Sequence, residues 1–202
     1  MRLGIFGGTF DPIHNAHLFL AESARIVEKL DKVLFVPTKM WHYKDAAEAS
    51  EVHRCAMVLG AIAGNKAFEL DETDLRTDAT GFTADLLPKL RSKYKKAQFT
   101  FIIGADSLVN STWERFDDVL ESLEKFVIAP RPGVRADALQ RVIAAVPKKL
   151  RERIDTLNIP ELPESGTLIR TMLSQGRSVR YLVPDAVWEY ITAHKLYGIS
   201  QP

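Results

Sequence analysis

Short, continuous apolar segments alternate with segments of helical periodicity along all 202 residues, and few folds accommodate that order. The apolar runs predict strands at 2–6, 32–36, 68–70, 99–104, 125–129 and 157–159. Helical spacing predicts helices at 14–30, 51–64, 83–94, 114–123, 134–154 with a break at Pro147, 165–176 and 185–194. Strands that are apolar throughout are typical of a sheet covered on both faces. The pattern therefore predicts an α/β chain, a Rossmann-like, doubly wound parallel sheet with helices on both faces.

Charge and cysteine content exclude several classes of protein. The 27 Lys and Arg residues nearly balance the 26 Asp and Glu residues, which leaves a net charge of +1 and no electrostatic reason to expect a nucleic-acid partner. No apolar run approaches the ~18 residues of a membrane span, and the first residues read as a strand rather than a signal peptide. Cys55 is the only cysteine, so a reducing cytoplasm is the expected compartment. A homo-oligomer stays an open alternative.

The connection between the first predicted strand and the first helix has the chemistry of a phosphate site. Gly7 and Gly8 end the strand and allow a ligand to approach the backbone closely. The helix N-terminus that follows attracts anions. His14 and His17 are three residues apart, so they share one face if both are helical, and each can donate a hydrogen bond to a phosphate oxygen.

Two other interpretations of the histidines remain. A His-x-x-His pair can bind a metal, although no nearby Cys, Asp or Glu completes an obvious ligand set. The two side chains could also be ordinary surface residues of a helix.

A second candidate phosphate motif lies near the C-terminus. Ser165 is a plausible N-cap, and Gly166 and Thr167 offer backbone N–H groups at another helix start. Arg170 lies one turn later and could reach the same phosphates with a bidentate guanidinium. Taken alone, this segment could equally be a capped helix with a solvated arginine.

The motif GGTFDPIHNAH at 7–17 resembles the signature of the nucleotidylyltransferases with a His-x-Gly-His motif. More narrowly, the chain is similar to the bacterial nicotinate-mononucleotide adenylyltransferase family. Further segments that resemble that family are 101–108, the region of Trp113, 131–133, 165–170, 182–191 and 195–197. The resemblance covers essentially the whole chain. It implies a single nucleotidylyltransferase domain at 1–202, whose C-terminal helical part from about 165 carries the second phosphate motif.

The activity implied by the resemblance is transfer of the adenylyl group of ATP to nicotinate mononucleotide, with release of pyrophosphate. Catalysis then depends on positioning and charge stabilisation. The catalytic residues implied are His14, His17 and Arg170. The ATP-binding residues implied are Gly7, Gly8, Thr9, Phe10, Gly104, Asp106, Ser165, Thr167 and Arg170. Mg²⁺ is the implied cofactor, held by the ATP phosphates and water, with no protein side chain as a metal ligand.

For the acceptor, the resemblance implies binding by Lys44, Phe82, Thr83, Trp113 and Arg131. A flat indole against the pyridine ring, with backbone N–H donors for its carboxylate, is reasonable chemistry. Trp113 could instead be a core anchor at a helix start, and Lys44 a solvated surface lysine.

The sequence departs from the family pattern at four places. Ala16 stands where the superfamily has glycine, Gly166 replaces a serine, and Glu164 replaces an apolar residue. A Trp-His-Tyr-Lys segment at 41–44 replaces Pro-Pro-His-Lys.

These departures leave two rival functions open. One is adenylyl transfer to another phosphomonoester, such as nicotinamide mononucleotide or phosphopantetheine. The other is a nucleotide-binding sensor of low activity.

Overall fold

The protein is described by a computed structural model that covers residues 1–39 and 47–199. Its strands are β1 (Arg2–Gly8), β2 (Lys32–Pro37), β3 (Phe68–Leu70), β4 (Gln98–Gly104), β5 (Lys125–Ala129) and β6 (Ile154–Thr156). Its helices are α1 (Asn15–Val27), α2 (Glu51–Ile62), α3 (Thr83–Lys93), α4 (Ala105–Asn110), α5 (Phe116–Glu121), α6 (Ala136–Ala145), α7 (Lys148–Arg151), α8 (Gly166–Ser174) and α9 (Asp185–Ala193).

The strands form one six-stranded sheet in the order β3-β2-β1-β4-β5-β6, and every pairing is parallel. The chain order therefore reverses between β1 and β4, which are hydrogen-bonded neighbours. Ligands of open α/β sheets bind beyond the carboxyl ends of the strands at such a reversal. Here those ends are Gly8 and Gly104, so the fold places the ligand crevice above them.

Alternation along the strands supplies a hydrophobic core on each face of the sheet. Leu3 and Ile5 of β1 pack with apolar residues of α3, α4, α5 and α7, while Phe6 packs on the other face with residues of α1, α2, α8 and α9. This confirms the predicted doubly wound α/β architecture. Among the described residues, no helix has the length and apolar character needed to cross a membrane.

Two predicted elements are wrong in detail. The sixth strand was expected at 157–159, but β6 is Ile154–Thr156, paired with β5 through Phe126 and Ile154. Asp155 breaks the apolar pattern, yet the edge strand tolerates it because its carboxylate pairs with Lys125 at 2.6 Å. The helix expected at 134–154 therefore ends early, at Arg151, whereas its predicted break at Pro147 is confirmed, because Pro147 separates α6 from α7. The short α4 was not predicted, since six residues are too few to show a period.

Candidate functional site

Two cavities meet at the carboxyl end of β1, and Gly7, Gly8, Thr9 and Ser107 line both. We call the larger one, of about 410 Å³, the histidine cavity. Its lining is mostly polar and includes Phe10, Asp11, His14, His17, Gly104, Asp106, Arg131, Ser165, Gly166, Thr167 and Arg170. We call the smaller one, of about 130 Å³, the tryptophan cavity. Its lining includes Thr38, Asp74, Phe82, Thr83, Phe101, Thr112, Trp113 and Glu114.

The two histidines of the first motif lie against each other. His14 is the N-cap residue of α1 and His17 lies one turn later, with their rings stacked at a centroid distance of 3.6 Å. The backbone N–H of His14 donates to Nδ1 of His17 at 3.2 Å. Because this nitrogen accepts, the neutral His17 ring carries its proton on Nε2. His17 therefore has a donor to offer a ligand.

Both imidazoles are held neutral by their surroundings. Burial, together with the positive charge of Arg131, lowers the pKa of His14 to about 3. The pKa of His17 also lies well below its usual value, first because of burial and then because of His14 and Arg131. Among the described residues, Nδ1 of His14 is buried without a hydrogen-bond partner. The pair thus provides hydrogen-bonding groups for a ligand without adding charge.

Positive charge in the histidine cavity comes from two arginines and two helix N-termini. Arg131 lies 3.5 Å from Asp106 and donates to the carbonyl of Glu164 at 3.1 Å. Arg170 donates to the carboxylate of Glu48 at 2.8 Å and to the carbonyl of Asp11 at 2.7 Å. The N-termini of α1 and α8 border the same space, where the helix dipoles favour anions, and at the start of α8 the N–H groups of Gly166 and Thr167 have no acceptor within the helix. This is the chemistry of a polyphosphate site.

Asp11 fixes the wall of the histidine cavity. It is only 4% exposed, and its carboxylate accepts from the backbone N–H groups of Glu48 and Ala49 and from the hydroxyl of Tyr197 at 2.7 Å. Its own carbonyl accepts from Arg170. The turn between β1 and α1 is thereby joined to the residues before α2, to α8 and to the C-terminal turn. This network keeps Arg170 oriented toward the cavity.

Close packing around this cavity requires a glycine at Gly166, whereas Gly104 meets only the end of a side chain that can move. A Cβ at Gly104 would lie 2.4 Å from the carboxylate of Asp106. A Cβ at Gly166 would lie 2.9 Å from the backbone carbonyl of Asp11. The glycine that replaces the family's serine therefore lets α8 approach the Asp11 turn more closely than any other residue could.

The tryptophan cavity differs in that three aromatic side chains, Phe82, Phe101 and Trp113, line it together with polar and aliphatic residues. Trp113 packs edge-on against Phe101 and Phe126 with centroid distances of 6.0 and 5.5 Å, and its Nε1 donates to the carbonyl of Ser107. Trp113 thus packs on the core and lines the cavity at once. Phe82 and Thr83 stand at the N-terminus of α3, whose first N–H groups no carbonyl within the helix can accept. A flat ring with an acidic substituent suits this combination of indole and helix N-terminus.

A buried carboxyl group also lines the tryptophan cavity. Asp74 is 5% exposed and accepts a hydrogen bond from the backbone N–H of Lys39. Burial raises the pKa of Asp74 to about 6, although that hydrogen bond and the charges of Lys89 and Lys39 act in the opposite direction.

Most of the candidate residues from the sequence meet in these two cavities. Phe10 lines the histidine cavity, and its ring packs in the core beside Phe6 and Phe35. Arg131, which the resemblance implied for acceptor binding, lines the histidine cavity rather than the tryptophan cavity. Ala16 is buried and lines neither cavity. Lys44 and the departure at 41–44 lie outside the described residues.

The second motif forms the predicted capped helix, while its phosphate-binding role stays a prediction. The hydroxyl of Ser165 accepts from the backbone N–H of Leu168 at 3.2 Å and so caps α8, while its O–H remains a donor. Thr167 is exposed and lines the histidine cavity. Glu164 places its carbonyl on Arg131, and its Oε2 is buried without a partner among the described residues.

Sequence reasoning did not identify Asp11, Arg54 or Asp74 as site residues. Arg54 lies at helical spacing from Met57 and Val58, on the apolar face of α2. A charged residue on a face that is expected to be buried is a signal that could have identified it. Asp11 falls within the motif at 7–17, but its hydroxyl partner Tyr197 is 186 residues away, so neighbouring residues could not indicate its structural role. Within residues 1–39 and 47–199, no group of three or more His, Cys, Asp or Glu side chains could hold a metal ion.

Comparisons with known proteins identify the family and the fold of the chain. Residues 5–172 match the cytidylyltransferase-like family. A relative from Thermomicrobium roseum, named probable nicotinate-nucleotide adenylyltransferase, is 39% identical over 198 residues, covering 97% of this chain and 91% of the relative. A relative of the same name from Oceanobacillus iheyensis is 34% identical over 201 residues, covering 99% of this chain and 98% of the relative.

A solved structure shares the fold at lower sequence identity. Plasmodium falciparum nicotinic acid mononucleotide adenylyltransferase complexed with NaAD is 20% identical, covers 98% of each chain and has a TM-score of 0.78. The same enzyme complexed with APC has a TM-score of 0.77.

Proposed function

The chain belongs to the cytidylyltransferase-like family and, within it, to the nicotinate-nucleotide adenylyltransferases, and we propose that it transfers the adenylyl group of ATP to nicotinate mononucleotide. The products are deamido-NAD and pyrophosphate, which makes the reaction a step of NAD biosynthesis. A phosphate oxygen of the mononucleotide forms a bond to the α-phosphorus of ATP while the bond to the β-phosphate oxygen breaks. Because the nucleophile is already an oxyanion, the reaction needs neither a general base nor a covalent enzyme intermediate.

The observation that carries this proposal is the junction of two unlike cavities at Gly7, Gly8 and Thr9. Adenylyl transfer requires a polyphosphate and a second substrate to meet end to end. One cavity supplies cations and helix N-termini, and the other supplies aromatic surface. The line where they join is therefore the position for the reacting α-phosphorus and the attacking phosphate.

In this arrangement the histidine cavity binds ATP. The Nε2–H of His17 donates to a phosphate oxygen, while Arg170 neutralises charge that moves onto the leaving pyrophosphate. Arg170 exchanges its bond with Glu48 for the stronger negative charge of the phosphates. Backbone at Gly8, Thr9 and Phe10 and the N-terminus of α8 at Ser165 and Thr167 complete the cradle, and Gly104 and Asp106 face the adenosine.

The tryptophan cavity binds the pyridine nucleotide in the same arrangement. The indole of Trp113 lies against the ring, and the N-terminus of α3 at Phe82 and Thr83 receives the ring carboxylate. We place Lys44 near the acceptor only by family resemblance. Arg131 is assigned to the phosphates, since it lines the histidine cavity.

We propose that ATP acts as its magnesium complex. The histidine cavity fits such a complex, because its cationic side chains and helix N-termini suit the phosphates. The ligands of the ion would then be phosphate oxygens and water, as is usual for Mg²⁺. When bound, Mg²⁺ neutralises part of the charge on the departing pyrophosphate. The enzyme is proposed to be one nucleotidylyltransferase domain of the reducing cytoplasm, with Cys55 buried as a free thiol.

Pyrophosphate release from ATP and Mg²⁺ tests the function, with nicotinate mononucleotide, nicotinamide mononucleotide and phosphopantetheine compared as acceptors. We expect turnover to require an acceptor and to be fastest with the nicotinate form, because its carboxylate matches the N-terminus of α3. A clear preference for another acceptor would reject nicotinate mononucleotide but keep the reaction class. ATP binding without turnover on any acceptor would favour a sensor role.

A further inference from the structure

An arginine is buried directly beneath the junction of the two cavities. Arg54 of α2 is 1% exposed, among the most deeply buried large side chains of the described chain, and it lines neither cavity. Its Nε has no hydrogen-bond partner among the described residues. Burying a guanidinium costs free energy unless its donors form hydrogen bonds. The hydrogen bonds that Arg54 does form must therefore offset the cost of its burial.

Those contacts are two backbone carbonyls at the ends of adjacent strands. One terminal nitrogen, Nη1, donates to the carbonyl of Thr9 at 2.6 Å, and the other, Nη2, donates to the carbonyl of Thr38 at 3.2 Å. Thr9 follows β1 and Thr38 follows β2, and the backbone N–H of Thr38 donates to the carbonyl of Gly8 at 2.9 Å. A planar guanidinium therefore fixes the orientation of both peptide groups relative to each other.

The direction of these carbonyls determines where the next N–H groups point. In a trans peptide unit the C=O and N–H bonds point in opposite directions. With the carbonyl of Thr9 turned toward Arg54, the N–H of Phe10 faces away from it, and Phe10 lines the histidine cavity. With the carbonyl of Thr38 turned the same way, the N–H of Lys39 faces outward and donates to Asp74 in the tryptophan cavity.

From this geometry we infer that Arg54 is a positioning residue for adenylyl transfer. It fixes the orientation of the peptide groups at the junction of the two cavities, where ATP and the acceptor meet. It touches neither substrate. It acts by holding the Thr9 and Thr38 carbonyls with one rigid fork, so that the Phe10 N–H is turned away from Arg54 on the side of the histidine cavity and the Lys39 N–H holds Asp74 in the wall of the tryptophan cavity. The inference rests on the proposed function for the identity of the substrates.

The test compares Arg54→Lys with Arg91→Lys. Lysine keeps the charge but has one nitrogen, so it cannot hold two carbonyls in a fixed fork. Arg91 is the control for the donor geometry, since its two terminal nitrogens also donate to two backbone carbonyls, those of Ala97 and Ser122, which lie before the amino ends of β4 and β5. For Arg54→Lys we expect kcat/KM to fall by about 100-fold for both substrates, and the KM values for ATP and mononucleotide to rise together. Arg91→Lys should leave both KM values unchanged.

Thermal unfolding and calorimetric ATP binding are measured on the same proteins. Unchanged kcat and KM in Arg54→Lys, with only a lower Tm, would overturn the inference, as would equal kinetic losses in both variants. If Arg54→Lys does not fold, Arg54→Gln is measured in its place. If neither variant folds while Arg91→Lys does, Arg54 contributes to stability alone and the inference is overturned. If the wild type turns over none of the acceptors, the proposed function fails, while weaker ATP binding by Arg54→Lys than by Arg91→Lys still supports the positioning role.

Discussion

The histidine cavity and the tryptophan cavity share a wall of glycines and Thr9, yet burial shifts the pKa values of their titrating side chains in opposite directions. In the first, two imidazoles are desolvated next to Arg131 and lose their protons, with the pKa of His14 lowered to about 3. In the second, the desolvated carboxyl group of Asp74 retains its proton to a higher pH, because burial raises its pKa to about 6. Burial disfavours the charged form of both types of group, so the titrating side chains tend toward neutrality on each side.

The two cavities therefore give stability opposite dependences on pH. His14 is neutral when folded but protonates near 6.5 when unfolded, so stability falls as pH decreases from about 6.5 toward 3. Asp74 ionises near 3.8 when unfolded but only near 6 when folded, so its contribution falls as pH rises from 3.8 to 6. Permanent charge for ligand binding comes instead from arginines and helix N-termini, which do not titrate in this range.

The largest expected effect is that of His17→Ala on the histidine cavity. Loss of the Nε2–H donor should lower kcat/KM by about 100-fold or more, as for other preorganised donors to developing charge. Pyrophosphate release measures the effect, and far-UV circular dichroism checks that the fold is kept. His53→Ala is a matched control, because His53 lines neither cavity. Turnover at the wild-type rate in His17→Ala would contradict the phosphate role.

A smaller and more selective effect is expected from Trp113→Leu in the tryptophan cavity. Stacking of a flat ring on an aromatic side chain is worth about 1–3 kcal/mol, so the KM for mononucleotide should rise by about tenfold. The KM for ATP should stay the same, as measured by initial rates with each substrate varied. Trp188→Leu is the control, because Trp188 packs on the opposite core. Equal changes in both KM values for Trp113→Leu would show that the cavities do not divide the substrates as proposed.

The smallest kinetic effect, with a clear signature in stability, is expected from Asp74→Asn. The asparagine cannot ionise and can still accept from the Lys39 N–H. As the pH rises from 4 to 6, the wild type loses the contribution of Asp74 to stability, because burial raises the pKa of Asp74 from 3.8 to about 6. The free energy of unfolding of the variant, relative to that of the wild type, should therefore increase by up to about 3 kcal/mol over this range. Urea unfolding at a series of pH values measures this difference. Parallel stability curves for the two proteins would mean that Asp74 does not retain its proton in the folded state.

Local patterns in the sequence were enough to predict the buried strands and the helix starts near the site. Continuous apolar runs predicted β1, β2, β4 and β5, and the glycines that end β1 and β4 indicated where a ligand could approach, because such runs and turns depend on neighbouring residues only. Prediction failed for β6, where an ion pair between Asp155 and Lys125 allows a polar residue in an edge strand. Pairing with β5 decided that strand, and no local pattern records it.

By itself the sequence determined the doubly wound class and indicated two candidate phosphate motifs with the residue types they contain, since each depends on residues close together along the chain. Only the tertiary structure decided that Arg131 joins the histidine cavity, that Asp74 lines the tryptophan cavity, and that Arg54 lies beneath their junction. These three depend on which buried groups find partners across the sheet. Burial and pairing are properties of the folded packing, and they alone set the pKa of a carboxyl group or the direction of a carbonyl.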